Sequence, residues 1–261
     1  MQIAAAGNLL YAESRGEGPP IVFIHGLGAG GSIWFAAAET LASSHRAVTY
    51  DWLGSGASPR PRIRYSIEGF AEEAKGVCEA LGIGRAVIVG HSMAAAVAVT
   101  LAARHPGLAR GLVLLGPVVQ LKEAAIPVFR DRAAKVRAEG MGPIAEALPG
   151  GALSAASRES NPALHGLFRA MILANDPEIY ALHCEALLGS TAAVLVPEVA
   201  CPTLLLAGDC DPVAPPAAVT ELAARFRSAR VEIAAGAGHA MQLDQPRAVA
   251  GTIARFAAGL P

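Results

Sequence analysis

The sequence predicts an α/β protein: a mostly parallel central sheet with helices on both faces, interrupted by a helical insertion. Two observations predict the sheet. Short runs that are almost wholly apolar, such as Pro20–Ile24, Arg85–Val89, Gly111–Gly116 and Pro202–Gly208, recur along the chain, and continuous rather than alternating apolar character marks strands buried on both faces. Helical stretches separate these runs, and such alternation implies parallel strands joined by right-handed crossovers. A third observation predicts the insertion. From about Val118 to Pro197 no strong strand run occurs, and alternation then resumes. Residues 1–117 and 198–261 are therefore expected to form the core, with 118–197 a helical lid over its carboxyl edge, where open α/β sheets bind ligands.

The elements follow in order. Gln2–Ala6 and Leu9–Ser14 predict two short strands turned at Gly7-Asn8, and Arg15–Pro20 is a turn cluster. The strand Pro20–Ile24 ends in a glycine-dense loop, His25–Gly31, after which Ser32 is expected to cap a helix reaching Ala42. Ala47–Tyr50 predicts the next strand, running into the loop Asp51–Pro59, where Asp51 is expected to bond its own loop amides. Ser66 caps a helix to about Leu81, with Glu68 and Glu72 in its early turns. Arg85–Val89 is a buried strand and Met93–Ala103, rich in alanine, a buried helix that stops at His105-Pro106. After the strand Gly111–Gly116, the insertion reads as helices over Lys122–Gly140, Pro143–Leu148, Pro162–Leu173 and Pro177–Leu188. The strand Pro202–Gly208, a helix from about Ala217 to Phe226, the strand Arg230–Ala234 and a helix from about Pro246 to Ala258 complete the chain.

Composition narrows the function classes. With 261 residues, 53% of them hydrophobic and 16% charged, the chain can bury a sizeable core. A net charge of −1 gives no electrostatic footprint for nucleic acid or an anionic membrane surface. No uncharged apolar run of the roughly 18 residues a membrane span needs occurs, and Met1-Gln2-Ile3-Ala4 lacks the basic start of a signal peptide. The four cysteines show neither a disulfide framework nor CxxC spacing, so reduced thiols in a cytoplasm are expected, with no metal and no organic cofactor.

The chemistry is expected at Gly90-His91-Ser92-Met93-Ala94. A serine at so tight a strand-to-helix corner takes a strained backbone conformation that lifts its hydroxyl clear of the sheet edge. The corner closes only where the residues two before and two after the serine are small, which Gly90 and Ala94 satisfy. The loop His25–Gly31 lacks the glycine spacing of a dinucleotide fingerprint and the Lys-Ser/Thr of a P-loop. It reads better as an oxyanion loop, its glycines letting the Leu27 amide turn inward. Serine needs a base, and His239, just past a strand in Gly236-Ala237-Gly238-His239, is placed to supply one. His91 adjoins Ser92 but points elsewhere on the corner, and His25 is expected to bond within the oxyanion loop. A carboxylate must orient the imidazole. Asp209 and Asp211 both follow the strand ending at Gly208; Asp211, before Pro212, is better placed to reach across, and Asp209 to bond backbone.

His25-Gly26, Asp51-x-x-Gly54-x-Gly56-x-Ser58, Gly90-His91-Ser92-Met93, Gly208-Asp209-Cys210-Asp211-Pro212-x-x-Pro215 and Gly238-His239 together resemble the α/β-hydrolase fold family over nearly the full length. The resemblance implies Ser92 as nucleophile, His239 as base, Asp211 as acid, and oxyanion-hole amides from Leu27 and Met93. Ala94 departs from the usual glycine, so a slightly wider elbow is expected. The insertion resembles the helical lid of esterases, enol-lactonases and hydrolases of carbon–carbon bonds.

The expected partner is a small-molecule ester, lactone or related carbonyl substrate, cleaved through an acyl-enzyme on Ser92. A carbon–carbon hydrolase of a ring-fission dienone uses the same residues, and a slow ligand receptor retaining them is the alternative from another class. In the lid, Phe129, Leu167, Phe168, Met171, Ile172 and Tyr180 are candidates for an apolar pocket roof, His183 for a polar pocket residue, and Arg130, Arg158 and Arg169 for carboxylate contacts. Helical spacing of this kind serves packing equally well.

Overall fold

The computed structural model describes residues 1–261. Eight strands, β1 (Gln2–Ala5), β2 (Asn8–Arg15), β3 (Pro20–Ile24), β4 (Arg46–Asp51), β5 (Ala86–His91), β6 (Ala109–Leu115), β7 (Thr203–Gly208) and β8 (Ala229–Ala234), form one sheet in the order β1-β2-β4-β3-β5-β6-β7-β8. The β1–β2 and β2–β4 pairs are antiparallel and every other pair is parallel. The chain steps from β3 outward to β4 and then returns across β3 to β5, so the strand order reverses between β3 and β5. Loops leaving two such neighbours diverge and open a crevice above the sheet edge.

Helices α1 (Phe35–Leu41), α2 (Ile67–Ala80) and α3 (Ala94–Arg104) alternate with the first strands; α4 (Ala125–Glu139), α5 (Gly142–Ala152), α6 (Ala155–Ser160), α7 (Pro162–Leu173), α8 (Pro177–Leu188) and α9 (Ala192–Leu195) lie between β6 and β7; α10 (Pro216–Ala223), α11 (Met241–Asp244) and α12 (Pro246–Ala258) follow. Alternate residues of β3 divide between two cores, Val22 and Ile24 packing with α2 and α3, Ile21 and Phe23 with α1 and α12. No single helix is long and apolar enough to cross a membrane.

Several local expectations are corrected. The first hairpin turns at Ala6-Gly7, both with positive φ (47° and 77°), the geometry that suits strand twist in a two-residue turn. Ser32 caps nothing: Gly31–Trp34 forms a 3-10 turn that leads directly into α1, with Gly30 at the cap position and no side-chain cap bond. Ser66 does cap α2, accepting from the Gly69 N–H at 3.0 Å. In the insertion, α6 and α9 are additional helices. Ser154 caps α6, its hydroxyl accepting from the Ser157 N–H, and α9 packs back onto α3 rather than over the sheet edge.

One buried charge has a measurable consequence. Glu73 of α2 is buried and accepts the Leu53 N–H at 2.9 Å, and burial pushes its carboxyl up to about 7, that single bond opposing. A carboxyl that holds its proton more tightly folded than unfolded loses stability as pH rises, here between its ordinary value near 4.5 and about 7. At about 1.4 kcal/mol per pH unit the whole effect approaches about 3 kcal/mol. Glu73→Gln keeps an acceptor for Leu53 and removes the charge. It is expected to raise the melting temperature at pH 8 and to leave it nearly unchanged at pH 5; an equal shift at both would show that charge is not responsible.

Candidate active site

The corner after β5 is as tight as its sequence demands. Ser92 holds φ at +56°, one of two non-glycine residues with positive φ, and such backbone costs about 1–2 kcal/mol for an L-residue. A Cβ at Gly90 would lie 2.7 Å from the Ala94 carbonyl oxygen, so strand and helix backbones leave no room for one. Ala94 turns its own methyl into the core, where it is fully buried, and the elbow forms around it. The Ser92 N–H donates to Leu115 O at 2.9 Å, and its carbonyl accepts from Ala95 and Val118. The backbone is thus fixed while the hydroxyl stays accessible.

His239 and Asp211 meet that hydroxyl in line. The His239 imidazole contacts Ser92 Oγ through Nε2 at 2.9 Å and Asp211 Oδ2 through Nδ1 at 2.8 Å. Asp211 Oδ1 accepts the amides of Val213 and Ala214 at 2.7 and 3.0 Å. Burial opposes ionisation of this carboxyl, but His239 and the two amides outweigh it and hold the pKa below the usual carboxylate range. Asp209 instead accepts the Gly236 N–H, bonding backbone as expected. The sequence reading missed Gly116, which has φ +49° and would place a Cβ 2.9 Å from His239 Nδ1 and 3.0 Å from Asp211 Oδ2; nothing distinguishes it from any glycine ending a strand. It missed Asp244 as well, whose carboxylate accepts from Gly238 and from Ser154 of the insertion, joining the His239 loop to α6.

His91 turns from the serine, as expected, and donates from Nε2 to the His239 carbonyl at 3.0 Å. Burial, reinforced by neighbouring His239, pushes its imidazole down to about 3, so it stays neutral and braces the loop. His25 Nδ1 donates to Gly26 O at 2.9 Å, while its Nε2 accepts the Trp52 N–H at 3.4 Å. Asp51 goes further than expected. It accepts Ala57 N–H in its own loop and Gly31 N–H of the glycine loop, at 2.8 and 2.6 Å. A Cβ at Gly56 would fall 2.1 Å from that carboxylate, which explains a glycine there. The glycine loop is therefore held from below by Asp51 and from above by Asn175, whose Nδ2 donates to Gly28 O at 2.9 Å. Held this way, the Leu27 N–H has no protein acceptor, and neither has that of Met93. Both residues border the cavity at Ser92.

That cavity, about 630 Å³, is mostly apolar and runs from Ser92 and His239 up between the insertion and α10. Phe129, Phe168, Ile172 and Tyr180 line it. Three candidates do not. Met171 lies beside the Phe168–Ile172 stripe of α7 and packs on the core; Leu167 is 68% exposed on the outer face. His183 shares the Ile179 and Ala186 face of α8 and is buried edge-on against Tyr65 and Phe70, at 4.6 and 5.3 Å between ring centroids. There burial pushes it down to about 3. Of the candidate arginines, Arg169 pairs with Glu146 and Arg158 donates to Leu153 O at 3.0 Å, while Arg130 is exposed. The arginines that do line the cavity are Arg132 of the insertion and Arg225 beyond it; Arg132 lies three residues after Phe129 and so on the same helix face, and that spacing was the available signal.

Residues 19–246 match the family model of the alpha/beta hydrolase fold. The chain belongs to that family. Its sheet, helices and crevice make it an α/β hydrolase, and relatives give finer likenesses. This α/β hydrolase is 39% identical over 119 residues to 2-hydroxymuconate semialdehyde hydrolase of Pseudomonas sp. strain CF600, spanning 44% of this chain and 42% of that protein. It superposes with a TM-score of 0.93 on the enol-lactonase of Burkholderia xenovorans LB400, at 29% identity over 99% of this chain and all of that one. A thermophilic esterase of Thermogutta terrifontis gives the same TM-score at 27% identity, covering 99% and 97% of the two chains.

Proposed function

We propose that this hydrolase cleaves a carboxylic ester or lactone through an acyl-enzyme on Ser92. The observation that carries the reading is the unbroken line Asp211–His239–Ser92 beside two unoccupied amides under an apolar cavity. His239 takes the Ser92 proton as Oγ attacks the carbonyl carbon, and Asp211 stabilises the imidazolium. The Leu27 and Met93 amides receive the oxyanion, a contribution of about 2.7–4 kcal/mol per donor. His239 then protonates the leaving alkoxide. Water, deprotonated by the same imidazole, releases the acid and restores the serine. Residues 118–197 act as the lid that shapes the acyl site, and the free, mostly buried thiols suit a cytoplasmic enzyme.

Rapid quenching of a 4-nitrophenyl butyrate reaction is expected to trap a butyryl group on the peptide containing Ser92. Turnover with no adduct, or an adduct elsewhere, overturns the reading. The partial likeness to 2-hydroxymuconate semialdehyde hydrolase favours a second reading, carbon–carbon cleavage by the same residues. A ring-fission dienone consumed faster than any ester would select it.

A further inference from the structure

The sheet ends on an edge that is complementary to itself. β8 is the last strand, paired only with β7 and in unbroken register from Thr203↔Ala229 to Gly208↔Ala234. The Thr203 N–H donates to Ser228 O and the Asp209 N–H to Ala234 O. In a parallel ladder that phase turns the backbone groups of residues 228, 230, 232 and 234 toward β7. The N–H and C=O groups of Ala229, Val231 and Ile233 therefore face outward, and none of them bonds elsewhere in the chain. Proteins close such edges with very short or bulged strands, with proline, or with charges that repel a second strand. β8 is six residues long and has no proline, glycine or bulge, so only its charges could protect it.

Those charges invite a second strand instead. Arg230 and Glu232 point to the α12 side, where the Arg230 guanidinium lies 5.5 Å from the centroid of the Phe256 ring and Glu232 is 3.7 Å from Arg255. Ala229 and Val231 pack on the core at the opposite face, and Ile233 on that face is 50% exposed. An antiparallel second copy of β8 can set outward groups against outward groups in three central registers. Centred on Arg230 it opposes arginine to arginine, and centred on Glu232 it opposes glutamate to glutamate, both unfavourable. Centred on Val231, each Arg230 faces the partner's Glu232 in the pair without backbone bonds, where side chains approach most closely. The same register sets Val231 against Val231 and Ala229 against Ile233, so every outward N–H and C=O of these three residues finds its counterpart and the exposed Ile233 is covered.

We propose that this protein self-associates through β8, two copies pairing antiparallel about a two-fold axis at Val231 and joining their eight-stranded sheets into one. The interface is isologous, the same strand serving both copies, and its occupant is selected by the reversed charge pattern Arg230–Glu232. Because the paired strands run in opposite directions, the carboxyl edges of the two sheets point apart. The two crevices at Ser92 open away from each other, and assembly leaves both accessible.

Sedimentation velocity at roughly 100 µM is expected to give twice the 26.6 kDa of one chain, since a small interface of this kind dissociates in the micromolar range. Arg230→Glu and Glu232→Arg each set like charges opposite one another and should weaken the dimer at least about tenfold. The two substitutions together reverse every pair and should restore it. Val231→Pro deletes the N–H at the axis, which β7 does not use, and should give a monomer with unchanged circular dichroism. Amide exchange locates the contact in the wild type: protection at Ala229, Val231 and Ile233 should rise with protein concentration, while Arg230 and Glu232, bonded to β7, stay protected throughout. A wild type that remains monomeric at this concentration overturns the proposal. So does a dimer that survives both single charge changes or a folded Val231→Pro, or one whose three outward amides exchange alike at all concentrations. A double charge variant that folds and stays monomeric overturns the Val231 register and the proposal with it.

Discussion

Ser92→Ala is expected to lower kcat for 4-nitrophenyl butyrate by about 10⁶-fold, with the fold intact by circular dichroism. The size follows from the chemistry: without Oγ no acyl-enzyme forms, and what remains is whatever the amides and the cavity provide to direct attack by water, roughly 10³-fold over solution in comparable enzymes. The preserved fold follows from the contacts. Ser92 Oγ makes one hydrogen bond, to His239, while backbone bonds to Leu115, Ala95 and Val118 hold the corner whatever the side chain. Ser92→Gly separates activity from strain. It should be as inactive as Ser92→Ala yet more stable by about 1 kcal/mol, because glycine adopts φ near +56° without a Cβ penalty. A melting temperature for Ser92→Gly at or below that of Ser92→Ala would show that the elbow stores no strain. Residual activity in both within about tenfold of wild type would place the nucleophile elsewhere.

What was legible in the sequence, and what was not, divides by how local the signal is. The central strands stand out because a strand buried on both faces must be largely apolar, and their alternation with helices marks them as parallel; the order in which they pair, with the reversal between β3 and β5, leaves no such local mark. The loops that bring Ser92, His239 and Asp211 together were readable because each sits at the carboxyl end of such a strand, with a glycine where the backbone must turn or approach closely. The failures lie where phase or packing decides. Ser32 looks like a cap, but Gly30 and Gly31 allow a 3-10 turn to begin before it, and Asp51 claims the Gly31 amide from the end of the neighbouring strand β4. In the insertion, helices were recognisable but their rotation was not. Tyr180 and His183 sit less than one turn apart on α8, and only the neighbouring Trp52, Tyr65 and Phe70 decide that His183 faces inward while Tyr180 lines the cavity. Gly116 and Asp244 act through residues far away in sequence, at His239 and Ser154, and contacts of that separation leave no local pattern.

Asp211→Asn is expected to cost about 10³- to 10⁴-fold in kcat near neutral pH while barely changing stability, a split that tests the orienting role of the carboxylate directly. The two oxygens of Asp211 have separate duties. Oδ1 accepts the Val213 and Ala214 amides that shape the loop, and asparagine retains an oxygen for these. Oδ2 faces His239 Nδ1 at 2.8 Å; there the substitution presents an NH₂ donor to a nitrogen that must itself donate. To avoid two opposed donors the imidazole shifts its proton to Nε2, the atom 2.9 Å from Ser92 Oγ. A protonated Nε2 cannot accept the serine proton, and the base is disabled without being moved. Activity in Asp211→Asn should therefore recover as rising pH makes hydroxide available to take that proton, so its pH–rate profile should climb through the alkaline range where wild type has levelled. Asp211→Ala lacks the Oδ1 cap as well and should lose both activity and stability. If Asp211→Asn kept wild-type kcat, or if its profile levelled together with wild type, the carboxylate would serve the loop alone and His239 would take its tautomer from elsewhere.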